Sequence, residues 1–215
     1  SEKVAIYTEW AYLIGKIGNK NLGNGIIFPG LIYKFKNGSF KVEGRHILQR
    51  NFIFNYWDRS YDIQRTIREN SNSQTYYTRE SELYNYGKMT GLYMSFSYNL
   101  LKIMNFSIGS QNMKGEIWSS DISDYIEDSN KSFNASLNLN PNLIPKVSKV
   151  EYFYETNNIT NPFDLSIGTV HGYNIGVETS GNMTIIYQSR TTYRFDEFGD
   201  LEPIRIMQLD TQFYF

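Results

Sequence analysis

Cysteine is missing from all 215 residues, which removes thiol nucleophiles, disulfide staples and thiolate metal sites at once. Histidine is scarce: His46 and His171 lie too far apart along the chain to suggest a metal cluster. No apolar run reaches the roughly 18 residues that a membrane-crossing helix needs. Neither sign of charge is in excess, with 21 Lys+Arg against 22 Asp+Glu. That balance leaves no electrostatic footprint for nucleic acid. A basic-then-apolar leader is also missing, and Ser1-Glu2-Lys3 runs straight into a strand-like segment, the expectation for a chain already processed. What the chain has in abundance is aromatic: 18 Tyr, 14 Phe and 3 Trp, 16% of all residues.

Period-two alternation dominates the rest. Val4, Ile6, Trp10, Tyr12 and Ile14 alternate with Ala5, Tyr7, Glu9 and Ala11. Ile27, Leu31, Tyr33 and Phe35 form a looser second set, and Phe40, Val42, Gly44, His46 and Leu48 a third, against Lys41, Glu43 and Arg45. Leu92 to Leu100, Met104 to Ile108, Phe133 to Leu139 and Val150 to Tyr154 follow, each opposed by Ser, Asn, Gly or charged residues. Leu165 to Val177, Ile185 to Tyr193 and Met207 to Phe215 complete ten segments. Ten repeats of a period of two are strand chemistry, not helix chemistry.

The connections are expected to alternate in length. Lys36-Asn37-Gly38, Leu101 to Ile103, Pro141 to Pro145 and Thr179 to Asn182 read as short turns, rich in residues that tolerate positive φ. Lys16 to Asn24, Asn55 to Lys88, Lys114 to Lys131, Thr156 to Pro162 and Asp196 to Pro203 read as longer polar loops. Short turns on one side and long loops on the other suit an outer-membrane barrel, with both termini on the short-turn, periplasmic side. The expected fold is therefore all-β: a single domain over residues 1–215, a transmembrane antiparallel up-and-down β-barrel of ten strands, with a long extracellular loop at about 55–88. Twelve strands, or a soluble β-sandwich or barrel, are the alternatives. Against a soluble barrel stands the apolar load of more than forty positions. Ten strands at about 4.8 Å spacing enclose a gap of less than about 10 Å once inner side chains are placed. The opposite face is rich in Ser, Asn, Gly and Gln, which suit a narrow wet lumen.

The last strand, Gln208-Leu209-Asp210-Thr211-Gln212-Phe213-Tyr214-Phe215, resembles the terminal insertion signal of bacterial outer-membrane β-barrel proteins. Gln208, Phe213 and Phe215 match it, while Asp210 stands where a Gly is common. The resemblance implies insertion by the barrel-assembly machinery, an outer-membrane location in a Gram-negative-type bacterium, and lipid and lipopolysaccharide as surroundings. It covers this strand alone and implies no narrower family.

Three groups of residues are candidates for function. Glu9, Lys41, Glu43, Arg45, Lys149, Glu151, Glu155, Arg190, Arg194 and Asp210 have lumen parity, and mixed charges in a confined space must pair. Tyr56, Trp57, Arg59, Tyr61, Arg65, Arg68, Tyr76, Tyr77 and Arg79 crowd the long loop, and Tyr and Arg are the types enriched at binding hot spots. Gln208, Phe213 and Phe215 form the insertion signal. His171 and His46 have outward parity and read as interfacial side chains. Gly15 to Gly25 lacks the Lys-Ser/Thr ending of a phosphate loop. No catalytic constellation, cofactor or metal is expected, and an outer-membrane hydrolase is the remote enzymatic alternative. The expected function is a narrow porin-like passive channel for small solutes. The alternative is a surface-binding, adhesin or envelope-assembly protein that meets an extracellular protein or glycan through its Tyr/Arg loop.

Overall fold

The computed structural model describes residues 3–57, 59, 61, 66–68, 76–140, 143–157, 161, 163–180, 182–196 and 198–213. The chain begins with β1 (Lys3–Tyr12), a short pair β2 (Lys16–Ile17) and β3 (Lys20–Asn21), β4 (Asn24–Phe35) and β5 (Gly38–Ile47). A second short pair, β6 (Thr66–Arg68) and β7 (Tyr76–Thr78), precedes one helical turn, α1 (Arg79–Glu82). Then come β8 (Tyr86–Leu100), β9 (Met104–Ser119), β10 (Asp124–Leu139), β11 (Val147–Asn157), β12 (Thr169–Ser180), β13 (Met183–Phe195) and β14 (Leu201–Phe213). Ten of these form one antiparallel sheet in the order β1-β4-β5-β8-β9-β10-β11-β12-β13-β14, so each main strand pairs with the next in sequence. Among the described residues, no helix is long and apolar enough to cross a membrane.

The exposure of the two faces is inverted relative to a water-soluble protein. Ile6, Trp10, Leu92, Met94, Leu209 and Phe213 stand exposed, whereas Glu43, Gln111, Asn130, Glu151 and Asn174 are buried. Along β12 the pattern is regular: Tyr173, Ile175 and Val177 are exposed, and Gly172, Asn174 and Gly176 are buried. A sandwich or soluble barrel buries its apolar face, because that burial drives its folding. Here the apolar face is left outside.

The polar face is concave. Arg45 on β5 and Arg190 on β13 lie six strands apart, about 29 Å on a flat sheet. Yet Arg45 bonds Asn55 and Arg190 bonds the Arg59 carbonyl, four residues further along one segment. The sheet must curl around that segment. Phe52 adds an apolar cushion at the same end, packed with Ile47, Met89 and Met113.

Several expected boundaries move. Lys114 to Lys131 is not a loop: β9 and β10 stay paired to Ser119 and Asp124, and the chain turns between them. Leu201 and Pro203, expected in a loop, pair with Phe195 and Tyr193, so β14 is longer than its alternating part. Leu165 and Ile167 precede β12 rather than opening it. Tyr86 and Lys88 belong to β8, not to the long loop. Ile27 changes face. The register shifts between Ile27 and Gly30, putting Ile27 opposite Arg45 on the buried side. Gly44 accommodates this bulge, because a Cβ there would stand 2.5 Å from the Phe28 carbonyl oxygen.

Candidate functional site

The concave face carries two ion-pair clusters, one touched by Asn55 and the other by Arg59. In the first, Lys41, Glu43 and Arg45 alternate along β5 and so share one face. Lys41 Nζ lies 2.8 Å from Glu43 Oε1, and Arg45 reaches Glu43 Oε2 through Nε at 2.8 Å and Nη2 at 2.6 Å. The Tyr7 hydroxyl, from β1, donates a further hydrogen bond to Glu43. Gly30 lies on the strand between, and its bare Cα leaves room for the Tyr7 ring to lie across β4. Glu43 is 2% exposed, so a carboxylate there depends on this full set of donors. Arg45 Nη1 also donates to Gln111 on β9 at 2.5 Å and to Asn55 at 3.1 Å.

The second cluster centres on Glu151 of β11. Arg59 Nη2 meets Glu151 Oε1 at 2.5 Å, Lys149 Nζ lies 3.1 Å from Oε2, and Asn174 Nδ2 donates to Oε2 at 2.9 Å. Arg59 also pairs with Glu155 at 3.2 Å, and its guanidinium stacks over Phe153 at 4.3 Å. Asn55 Nδ2 donates to Ser132 on β10 at 3.3 Å, so this stretch is fastened at both ends. Arg190 extends the web to Gln208, and Gln208 with Gln188 donates to Asp210. The three cations Arg59, Lys149 and Arg190 face the three carboxylates Glu151, Glu155 and Asp210, so formal charge cancels.

The residues expected to line a lumen are thus mostly brought together, in two groups rather than one ring. Glu9 shares the face of Tyr7 but stands exposed on the edge strand β1. Arg194 pairs with Glu202 at 2.8 Å on an exposed strand end, away from Glu151 and Glu155. Sequence reasoning missed Tyr7, Asn55, Gln111 and Asn174. Their inward parity was the available signal for three of them; Asn55 carried none.

The long connection divides. Arg59 was expected at an external contact surface, but the structure puts it among the interior carboxylates. Tyr56 is buried, and burial pushes its phenol well above the ordinary range. Trp57 is exposed, and its ring lies 5.0 Å from Tyr56 and 4.4 Å from Tyr61. Arg79 stands over Tyr61 at 5.6 Å, and the Tyr61 hydroxyl donates to Glu80. Arg68 pairs with Tyr76, and Ile67 with Tyr77, in the β6–β7 backbone ladder. Arg65 lies outside the described residues, as does Phe215 of the insertion signal. Phe213 is exposed on the apolar face, and Gln208 points to the polar one.

No family model and no curated protein matches the chain. A solved structure of the NanC porin, in a rhombohedral crystal form, is similar with TM-score 0.41 and 9% identity, covering 100% of this chain and 97% of that one. Likeness at that level assigns no family. The site is a hydrogen-bonded network that holds charges of both signs, and among the described residues its side chains form no nucleophile–base pair.

Proposed function

We propose that this chain is an integral outer-membrane β-barrel acting as a narrow, porin-like passive channel for small solutes, constricted from within by the segment that carries Phe52, Asn55, Tyr56 and Arg59. The observation that carries the reading is the inverted exposure of the ten-stranded sheet. Apolar side chains facing outward are stabilised by lipid, and polar ones facing inward by water and by one another. An open sheet edge has no partner in a bilayer, so β1 and β14 pair to close the wall. Both termini then lie on the periplasmic side, and insertion depends on the barrel-assembly machinery. The chain is not an enzyme on this reading; it binds no cofactor.

Mixed charge at the constriction favours small polar solutes over ions of one sign. Asn174 Oδ1 is buried without a hydrogen-bond partner among the described residues, and it is an atom a passing solute would bond. A second reading rests on Trp57, exposed with its ring tilted against Tyr61: an aromatic surface for an extracellular protein or glycan. Planar-bilayer recording tests the first. Small, steady, weakly ion-selective steps together with uptake of small neutral solutes by proteoliposomes support it. A sealed membrane with no uptake overturns it in favour of the surface-binding reading.

A further inference from the structure

The outward face of β11–β14 carries a feature that a passive channel does not need. Every acidic residue on these strands, Glu151, Glu155, Glu178, Glu202 and Asp210, has inward parity by the strand register. Lys149, Arg190 and Arg194 point inward as well. Arg205 is the exception: one cation on an otherwise uncharged outward face, with no ion pair among the described residues. Beside it stands His171, whose Nε2 lies 3.2 Å from the Tyr193 hydroxyl.

These two residues rim a shallow pocket of about 410 Å³, walled by Tyr152, Tyr173, Tyr187 and Met207. Its floor is made of small groups, Ser189 and Thr191, both buried beneath the rim. The location matters. His171 is nine residues from Ser180 at the short-turn end of β12. That is about 30 Å of strand, or about 21 Å of height at a tilt near 45°, against an apolar band about 25 Å tall. The pocket therefore opens at the outer rim of the band, where a lone Arg is tolerated far better than at the bilayer midplane. Below it, Ile175, Val177 and Leu209 continue the apolar wall.

We propose that this pocket binds the phosphorylated glycolipid of the outer leaflet. Arg205, with His171 and Tyr193, would take the phosphate, the tyrosine faces the sugar, and the wall below the acyl chains. The inference rests on the membrane reading above. Charge complementarity selects the occupant: a cation with no ion pair among the described residues, at the level of lipid phosphates, beside aromatic rings that pack on sugar faces.

Native mass spectrometry of the detergent-extracted protein, titrated with diphosphoryl lipid A, tests it. The unmodified protein is expected to hold one lipid. Arg205→Gln lowers that affinity about tenfold or more, as loss of a charge-assisted pair requires. Arg205→Lys keeps most of it, and Lys114→Gln, which removes an outward cation on β9, changes nothing. Undiminished binding by Arg205→Gln overturns the site, and so does equal binding of phosphatidylglycerol or displacement by inorganic phosphate. Heat-modifiable gel mobility is read on the same samples. Retained mobility with unselective lipid binding sinks the site alone, whereas lost mobility in the unmodified protein sinks the barrel reading with it.

Discussion

Arg59 and Glu151 are 92 residues apart in sequence, and their side chains meet at 2.5 Å on the concave face. That one pair converts a surface connection into an internal strap. Arg59 also holds Glu155 and accepts a bond from Arg190 through its carbonyl, so polar side chains of two strands, β11 and β13, converge on it.

Arg59→Ala is expected to loosen the strap. Glu151 keeps Lys149 and Asn174, so the loss is smaller than for a fully orphaned charge, about 1–2 kcal/mol. Conductance in planar bilayers should rise by a larger factor than stability falls. Unchanged conductance with intact folding would remove the strap from the permeation path.

Gly30→Val fills the space occupied by the Tyr7 ring, since a Cβ there would stand 2.6 Å from it. The ring must leave, and Glu43 loses its phenol donor. A cost of about 1–3 kcal/mol is expected in urea unfolding of the detergent-held protein. The double variant Gly30→Val with Tyr7→Ala should recover part of it; an additive loss would show that the ring's position is not the cause.

Closure of the wall predicts contact between the first and last strands. In this cysteine-free chain, Ile6→Cys combined in turn with Met207→Cys, Leu209→Cys and Thr211→Cys should give one pair that oxidises readily, because directly opposed residues place Cβ atoms about 4.5–5.5 Å apart. If none of the three pairs cross-links, the sheet is open between β1 and β14.

Phe215→Lys tests the terminal signal. A charge near the interface costs only about 0–1 kcal/mol of folded stability. A severe drop in inserted protein would therefore reflect failed recognition by the assembly machinery. Normal insertion would separate this chain from the signal its last strand resembles.

Where strands pair without interruption, the sequence was a good guide. β8 to β10 keep one register from Leu92 to Leu139, so Met94, Phe106 and Leu137 face outward as their alternation predicts. Ile27 broke the rule because a bulge shifts the register between Ile27 and Gly30, and period-two counting carries no warning of that. The hairpin tip beyond Lys114 was invisible for another reason. Glu116, Glu127 and Asp128 stand where both faces meet water, so no apolar alternation marks the strands. In the site, local spacing revealed Lys41-Glu43-Arg45. The partnership of Arg59 with Glu151 depends on how a long connection folds back, which composition alone does not encode. Its Tyr and Arg content suggested an external surface, and part of that composition, Tyr56 and Arg59, serves the interior instead.

The central claim is that the apolar face meets lipid and the polar face meets water. Single cysteines at Met94, Ile108, Leu137 and Ile175, and at Ser95, Ser107 and Ser136, can each be challenged with a water-soluble maleimide in proteoliposomes. The account predicts a strict alternation: the serine positions react, and the apolar positions are protected and are quenched by lipid-borne quenchers when carrying a fluorophore. Rapid labelling at Met94, Ile108, Leu137 and Ile175 with protection at the serine positions would contradict it, because that result puts the apolar face in water and the polar face out of it.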